Sequence, residues 1–164
     1  LSNHERWFLT YIPQTGEHED NNMPEKHDEV CTVNHIDHVA IAVKDISAAL
    51  EFFQTIFDAP PSEVSVMPEL GVKASLIQIG QTRIEILEAL DPDNPVGRFV
   101  RNKGEGLHHL ALNVSGLQDK LNFLSAQGLQ LIDKQPREGL SGSVAFVHPR
   151  SVFGVLTELV ENNG

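Results

Sequence analysis

Two stretches decide the fold: Ile36-Asp37-His38-Val39-Ala40-Ile41-Ala42-Val43 and Leu107-His108-His109-Leu110-Ala111-Leu112-Asn113-Val114. They align with each other at an offset of 71 residues, and Leu50 and Phe52 match Leu121 and Phe123 at the same offset. Further on the offset becomes 73, where Arg83-Ile84-Glu85-Ile86-Leu87 lies over Leu156-Thr157-Glu158-Leu159-Val160. The chain therefore contains an internal duplication. Each half opens with a histidine and closes with a glutamate.

Each half also reads alike in its periods. Residues 36–43 and 107–114 read as strands with the larger side chains alternating. After Asp45, an N-cap, the residues Ile46, Ala49, Leu50, Phe53 and Phe57 recur at helical spacing. In the second half Ser115-Gly116-Leu117-Gln118 has the form of a capping box, Leu117, Leu121 and Leu124 supply the stripe, and Gly128 stops the helix. Val72 to Ile79 and Thr82 to Leu87 predict a hairpin around Gly80-Gln81, with Ser143 to Val147 and Gly154 to Val160 as its counterpart. One further strand before each hairpin gives two βαβββ modules. Between them, Asn94-Pro95 opens a short helix through Arg101 that Gly104 and Gly106 end. The expected fold class is α+β, with the two modules forming a curled mixed sheet around a metal-binding cleft.

Alternation assigns faces. With Val39, Ile41 and Val43 under the helix, His38, Ala40 and Ala42 face the other side. The same rule turns His109, Ala111 and Asn113 to that side and so selects His109 over His108 as the partner of His38. Ile84 and Ile86 leave Glu85 on the open face, and Glu158 follows by the repeat. A lone strand histidine or glutamate is ordinarily only a satisfied polar residue, but four at repeat-related positions point to one divalent ion held by His38, Glu85, His109 and Glu158. Two imidazoles and two carboxylates leave about two positions of an octahedral ion for substrate oxygens, and the set suits Co²⁺, Mn²⁺, Ni²⁺, Zn²⁺ or Mg²⁺ alike.

Composition narrows the function. The 164 residues carry 12 Lys plus Arg against 23 Asp plus Glu, a net charge of -11, which excludes phosphate-tracking nucleic-acid binding and an anionic membrane surface. With one cysteine, Cys31, there is neither an intrachain disulfide nor a Cys-based zinc cluster, and no apolar run has the length of a membrane span. A cytoplasmic location is expected. Residues 1–33 read as an acidic, disordered extension. Seven carboxylates there face only Arg6 and Lys26, and His4, His18 and His27 lack metal-ligand spacing. Residues 34–161 form the domain, with repeats at about 34–92 and 105–161.

At these residues the chain resembles the vicinal-oxygen-chelate superfamily and, within it, the methylmalonyl-CoA epimerase family. Gly104-Glu105-Gly106-Leu107-His108-His109, Phe146-Val147-His148-Pro149-Arg150 and Gly154-Val155-Leu156-Thr157-Glu158-Leu159 carry the likeness, with Asn94-Pro95-Val96-Gly97-Arg98-Phe99 ahead of them. The resemblance implies a homodimer, an acyl-CoA thioester as substrate, and His38, Glu85, His109 and Glu158 as ligands. It also implies interconversion of the C2 epimers of methylmalonyl-CoA, with Glu158 as one catalytic base. Some relatives carry a glutamate, proposed as a base, where this chain has Lys73-Ala74-Ser75. Lys103, Lys134, Arg137 and Arg150 are candidates for the CoA phosphates, while His148-Pro149 reads as a strand-end turn and His35 and His108 as packing or supporting residues. The rival readings are a glyoxalase I-like lactoylglutathione lyase, an extradiol-type dioxygenase and a metal-free small-molecule-binding module. Four polar donors argue against the last, and the second carboxylate, Glu85, argues against the dioxygenase.

Overall fold

A computed structural model describes residues 32–162; the expected extension at 1–33 lies almost wholly outside the described residues. The elements run β1 (Val33–Val43), α1 (Ile46–Phe57), β2 (Ser65–Met67), β3 (Val72–Ile79), β4 (Thr82–Ala89), α2 (Pro95–Lys103), β5 (Gly106–Val114), α3 (Leu117–Ala126), β6 (Arg137–Glu138), β7 (Gly142–Val147) and β8 (Thr157–Asn162). One eight-stranded sheet has the order β2-β3-β4-β1-β5-β8-β7-β6, the same βαβββ pattern read outward from its centre in both directions. Strands β1 and β5 pair antiparallel at that centre, while β1 with β4 and β5 with β8 are parallel. The histidine strands of the two modules are thus neighbours, and each is flanked by its own glutamate strand.

Alternation places the core as expected. Val43, Ile46, Leu50, Ile77 and Ile86 pack between α1 and the sheet, and Val114, Leu117, Leu121, Ala145, Val147 and Leu159 do so beneath α3. A fully buried Leu or Ile contributes roughly 1.5–3 kcal/mol. The opposite face carries Ala40, Ala42, Ala74 and Ala111, all fully buried. These methyl-sized side chains leave room for a cavity on that face. Val96 of α2 packs on Ala40, Ala42 and Leu87 and closes one end. None of the described helices is long and apolar enough to cross a membrane.

Local signals were met at several points. The Asp45 side chain accepts from the Ala48 amide at 3.1 Å, and Asn94 accepts from Gly97 at 2.7 Å with Pro95 at the first helical position. Gly80 takes φ 59° in the two-residue turn between β3 and β4. Two expectations fail. The capping box at Ser115 does not form: Gly116 sits at the N-cap of α3 with φ 68° and no side-chain cap of its own. Instead Glu161 of β8 accepts from the Gly116 and Leu117 amides at 2.6 and 3.3 Å. Glu88 of β4 likewise accepts from Ile46 at the start of α1 at 2.8 Å. In each module a carboxylate from the sheet neutralises the positive end of the helix packed on it. The second departure is that β8 begins at Thr157 rather than Gly154. Pro149 lacks an N–H and its fixed φ seeds a 3-10 turn at Pro149–Ser151, so the chain folds over residues 148–156 before pairing.

Candidate metal centre

The four repeat-related residues converge on the cavity face. His38 on β1, Glu85 on β4, His109 on β5 and Glu158 on β8 are all at least 94 % buried. His38 Nε2 lies 3.2 Å from His109 Nε2. Glu158 Oε2 is 2.7 Å from His109 Nε2 and 3.2 Å from His38 Nε2, and Glu85 Oε2 is 3.6 and 3.5 Å from the same atoms. Metal–donor bonds of about 2.1 Å put adjacent octahedral donors about 3.0 Å apart, since the edge is √2 times the bond. The His38, His109 and Glu158 pairs match that edge and form a three-donor group that could hold an ion, while the Glu85 contacts exceed the edge by about half an ångström and leave that residue beside the group.

Of the two residues behind the donors, His108 is expected from the sequence as a packing or supporting residue and Asp37 is not. Asp37, buried at 2 % exposure, takes His38 Nδ1 at 2.8 Å and is itself paired with Arg83 and reached by Asn162 at 3.4 Å. In the second module His108 Nδ1 meets His109 Nδ1 at 2.9 Å. Asp37 and His108 are repeat mates at the offset of 71 that relates His38 to His109. Both sit at slips in the β1–β5 ladder. Ile36 pairs Leu112 and His38 pairs Ala111, leaving Asp37 without a partner residue, while Ala40 pairs His109 and Ile41 pairs Leu107, leaving out His108. Such bulges re-aim a side chain that strict alternation would send to the other face. This is why His108 lines the cavity although alternation assigns it to the helix side. Each supporting residue holds Nδ1 of its histidine and leaves Nε2 toward the centre, as carboxylate or imidazole partners of ligand histidines do.

The electrostatics follow from burial and pairing. Burial pushes the His38 imidazole down, but hydrogen bonds to Asp37 and Glu158, with the charges of Glu85 and Glu158, outweigh it and lift it to about 9. Burial pushes Glu158 up, yet hydrogen bonds from His109 and His38 and their charge bring it down to about 2. Glu85 is raised by burial, which the two histidines offset only in part. Burial, reinforced by neighbouring His109, lowers His108 to about 4, so its ring is neutral near pH 7. Asp37, despite burial, is held at about 2 by its hydrogen bond to His38 and by the charge of Arg83.

Above the donors is a cavity of about 410 Å³. Glu85, His109 and Glu158 line its polar floor, and Met67, Val72, Ala74, Leu87, Val96 and Leu140 are among its apolar walls. Ala74 lines the cavity, and its methyl offers no proton carrier at the position where some relatives are expected to have glutamate. Of the four candidate basic residues only Arg137 lines this cavity, stacked over Phe146 at 5.2 Å. Lys103 lies over Phe99; Lys134 and Arg150 are not on the cavity wall. His148 caps the 3-10 turn, its Nδ1 accepting from Arg150 at 3.1 Å, and His35 is exposed on β1.

This fold and site define a class. Residues 37–146 match the family model of the Glyoxalase/Bleomycin resistance protein/Dioxygenase superfamily, and the chain belongs to that superfamily. Within it the chain is 33 % identical over 132 residues to the mitochondrial methylmalonyl-CoA epimerase of Homo sapiens, covering 79 % of this chain and 75 % of that one. It is 38 % identical over 133 residues to an uncharacterized protein of Bacillus subtilis, covering 80 % and 95 %. Among solved structures, a methylmalonyl-CoA epimerase in complex with methylmalonyl-CoA and NH4+ is similar with a TM-score of 0.78 and 29 % identity, over 81 % of this chain and 97 % of that one.

Proposed function

We propose that the protein is a metal-dependent epimerase that interconverts the C2 epimers of methylmalonyl-CoA. The observation that carries the reading is a floor of two imidazoles and one carboxylate, His38, His109 and Glu158, at octahedral spacing with Glu85 beside them beneath an apolar cavity. Relatives named as methylmalonyl-CoA epimerases at about 30 % identity support the choice of substrate.

His38, His109, Glu158 and Glu85 would hold one divalent ion. The C2 hydrogen of the substrate lies between a thioester carbonyl and a carboxylate, and a bound divalent ion supplies Lewis acidity to those two oxygens. The protein's part is to place the acyl group and carry the proton. Met67, Val72, Leu87 and Leu140 give the C2 methyl an apolar wall. At about 410 Å³ the cavity takes the acyl end of the thioester and leaves the nucleotide outside, where Arg137 at the rim faces it. Both imidazole contacts of Glu158 fall on Oε2, so Oε1 is the atom that removes the C2 proton. Inversion then requires a proton delivered to the other face of the planar enolate by a second donor, with the proton taken by Glu158 released to solvent.

Incubation with methylmalonyl-CoA in D₂O, with and without chelator, tests the reading. Deuterium should enter C2 and the epimers equilibrate only when metal is present. Exchange on a glutathione hemithioacetal in place of methylmalonyl-CoA would select the lyase reading, and chelator-resistant exchange would remove the metal from the mechanism.

A further inference from the structure

The His108 side chain lines the cavity and has no part in this scheme. His108 is aimed inward by the β5 bulge, packed edge-on against Phe99 of α2 at 5.0 Å, and joined to His109 through Nδ1 at 2.9 Å. Two nitrogens at that distance must be one donor and one acceptor, because two N–H groups would clash and two lone pairs would repel. A histidine that gives Nε2 to an ion keeps its remaining ring proton on Nδ1. With His109 in that state, His108 Nδ1 is the acceptor and its own proton must lie on Nε2. That nitrogen has no partner among the described residues, and His108 lines the cavity.

We propose that His108 is a substrate-binding residue whose Nε2–H donates a hydrogen bond to an oxygen of the acyl thioester, and that the ion on His109 fixes this donor by fixing the tautomer. The inference rests on the metal-centre reading above. It assigns His108 a role of its own, distinct from ligation. A neutral N–H preset in a cavity with mostly apolar walls stabilises developing negative charge on an oxygen without reorganisation. The relay from ion through His109 to His108 also makes the donor conditional on a filled metal site, so that charge stabilisation by the ion and by the imidazole arrive together.

The test uses the full chain labelled with ¹⁵N-histidine, with Zn²⁺ as the probe, and reads the imidazole nitrogens by NMR. The expected result is Zn²⁺ on His109 Nε2 with the proton of His108 on Nε2 and none on its Nδ1. Zn²⁺ on His109 with the His108 proton on Nδ1 overturns this inference and leaves the epimerase reading standing; no Zn²⁺ at His109 overturns both. In turnover measured at saturating metal, with metal content checked, His108→Phe should lose 10²-fold or more in kcat, the scale of one lost donor to a developing oxyanion. His108→Gln, whose amide N–H reaches the same place, should recover at least tenfold of that loss. Equal kcat in His108→Phe and the wild type would refute the role even if the tautomer is as expected.

Discussion

In the proposed centre metal affinity should depend steeply on pH, because an ion held by His38 would have to displace a proton from it. In the metal-free protein that imidazole is lifted to about 9 by Asp37 and the two glutamates. At pH 7 it is about 99 % protonated, and emptying it costs about 2.7 kcal/mol, or about 10² in affinity relative to alkaline solution. Affinity for Co²⁺ should therefore rise about tenfold per pH unit between 6 and 8. Calorimetry in buffers of different ionisation enthalpy should find about one proton released per ion at pH 7. The same shift has the opposite sign for folding. A group whose pKa rises from 6.5 to about 9 on folding stabilises the metal-free fold fully below pH 6.5 and stops doing so as pH climbs through 9. The chelated protein should thus lose on the order of 3 kcal/mol over that window. Glu158, lowered from 4.5 to about 2, gives the acid limb of the same pairing, lost as pH falls below 4.5, and the two contributions are not additive. An affinity that is flat from pH 6 to 8, with no proton release, would refute the reasoning.

Glu158→Gln keeps a coordinating oxygen but removes the base, so its turnover should fall 10²-fold or more with metal still bound, whereas Glu85→Gln should retain measurable activity; similar rates in the two variants with equal metal content would return Glu158 to a ligand-only role. His109→Ala should lose the ion and His108→Ala should keep it, as elemental analysis after gel filtration would show; equal loss would mean that His108 ligates. Removing the carboxylate that caps α3, in Glu161→Ala, should cost about 1–2 kcal/mol and lower Tm by about 2–8 °C while the metal stoichiometry stays unchanged. An unchanged melting curve would show that water satisfies Gly116 and Leu117 equally well.

The sequence made the four candidate donors legible and left most of what stands behind them out of view, and the difference is physical. His38, Glu85, His109 and Glu158 sit where the strands keep their period of two, so counting from the apolar residues gives the face of each. Asp37 and His108 sit where that count fails, because a bulge adds a residue to one strand without changing any local preference, and no periodicity registers it. Glu88 and Glu161 escaped for another reason. They look like ordinary strand-end carboxylates, and their role depends on a helix start more than 40 residues away in each case, while Ser115 offered a nearer cap that the backbone at Gly116 does not use. Yet all four of these residues obey the offsets already found. Asp37 maps to His108 by the 71 residues that map His38 to His109, and Glu88 maps to Glu161 by the 73 that map Glu85 to Glu158. Polar side chains that recur at the offset of a duplication, as opposed to apolar ones that recur because any strand needs them, mark positions both modules use in the same way. Applied to the polar residues of β1, β4, β5 and β8, that criterion picks out Asp37 with His108, His38 with His109, Glu85 with Glu158 and Glu88 with Glu161; on the helices it also pairs exposed residues such as Ser47 with Gln118 and Glu51 with Asn122. Of those four strand pairs only Asp37 and His108 exchange chemistry, a carboxylate behind His38 against an imidazole behind His109.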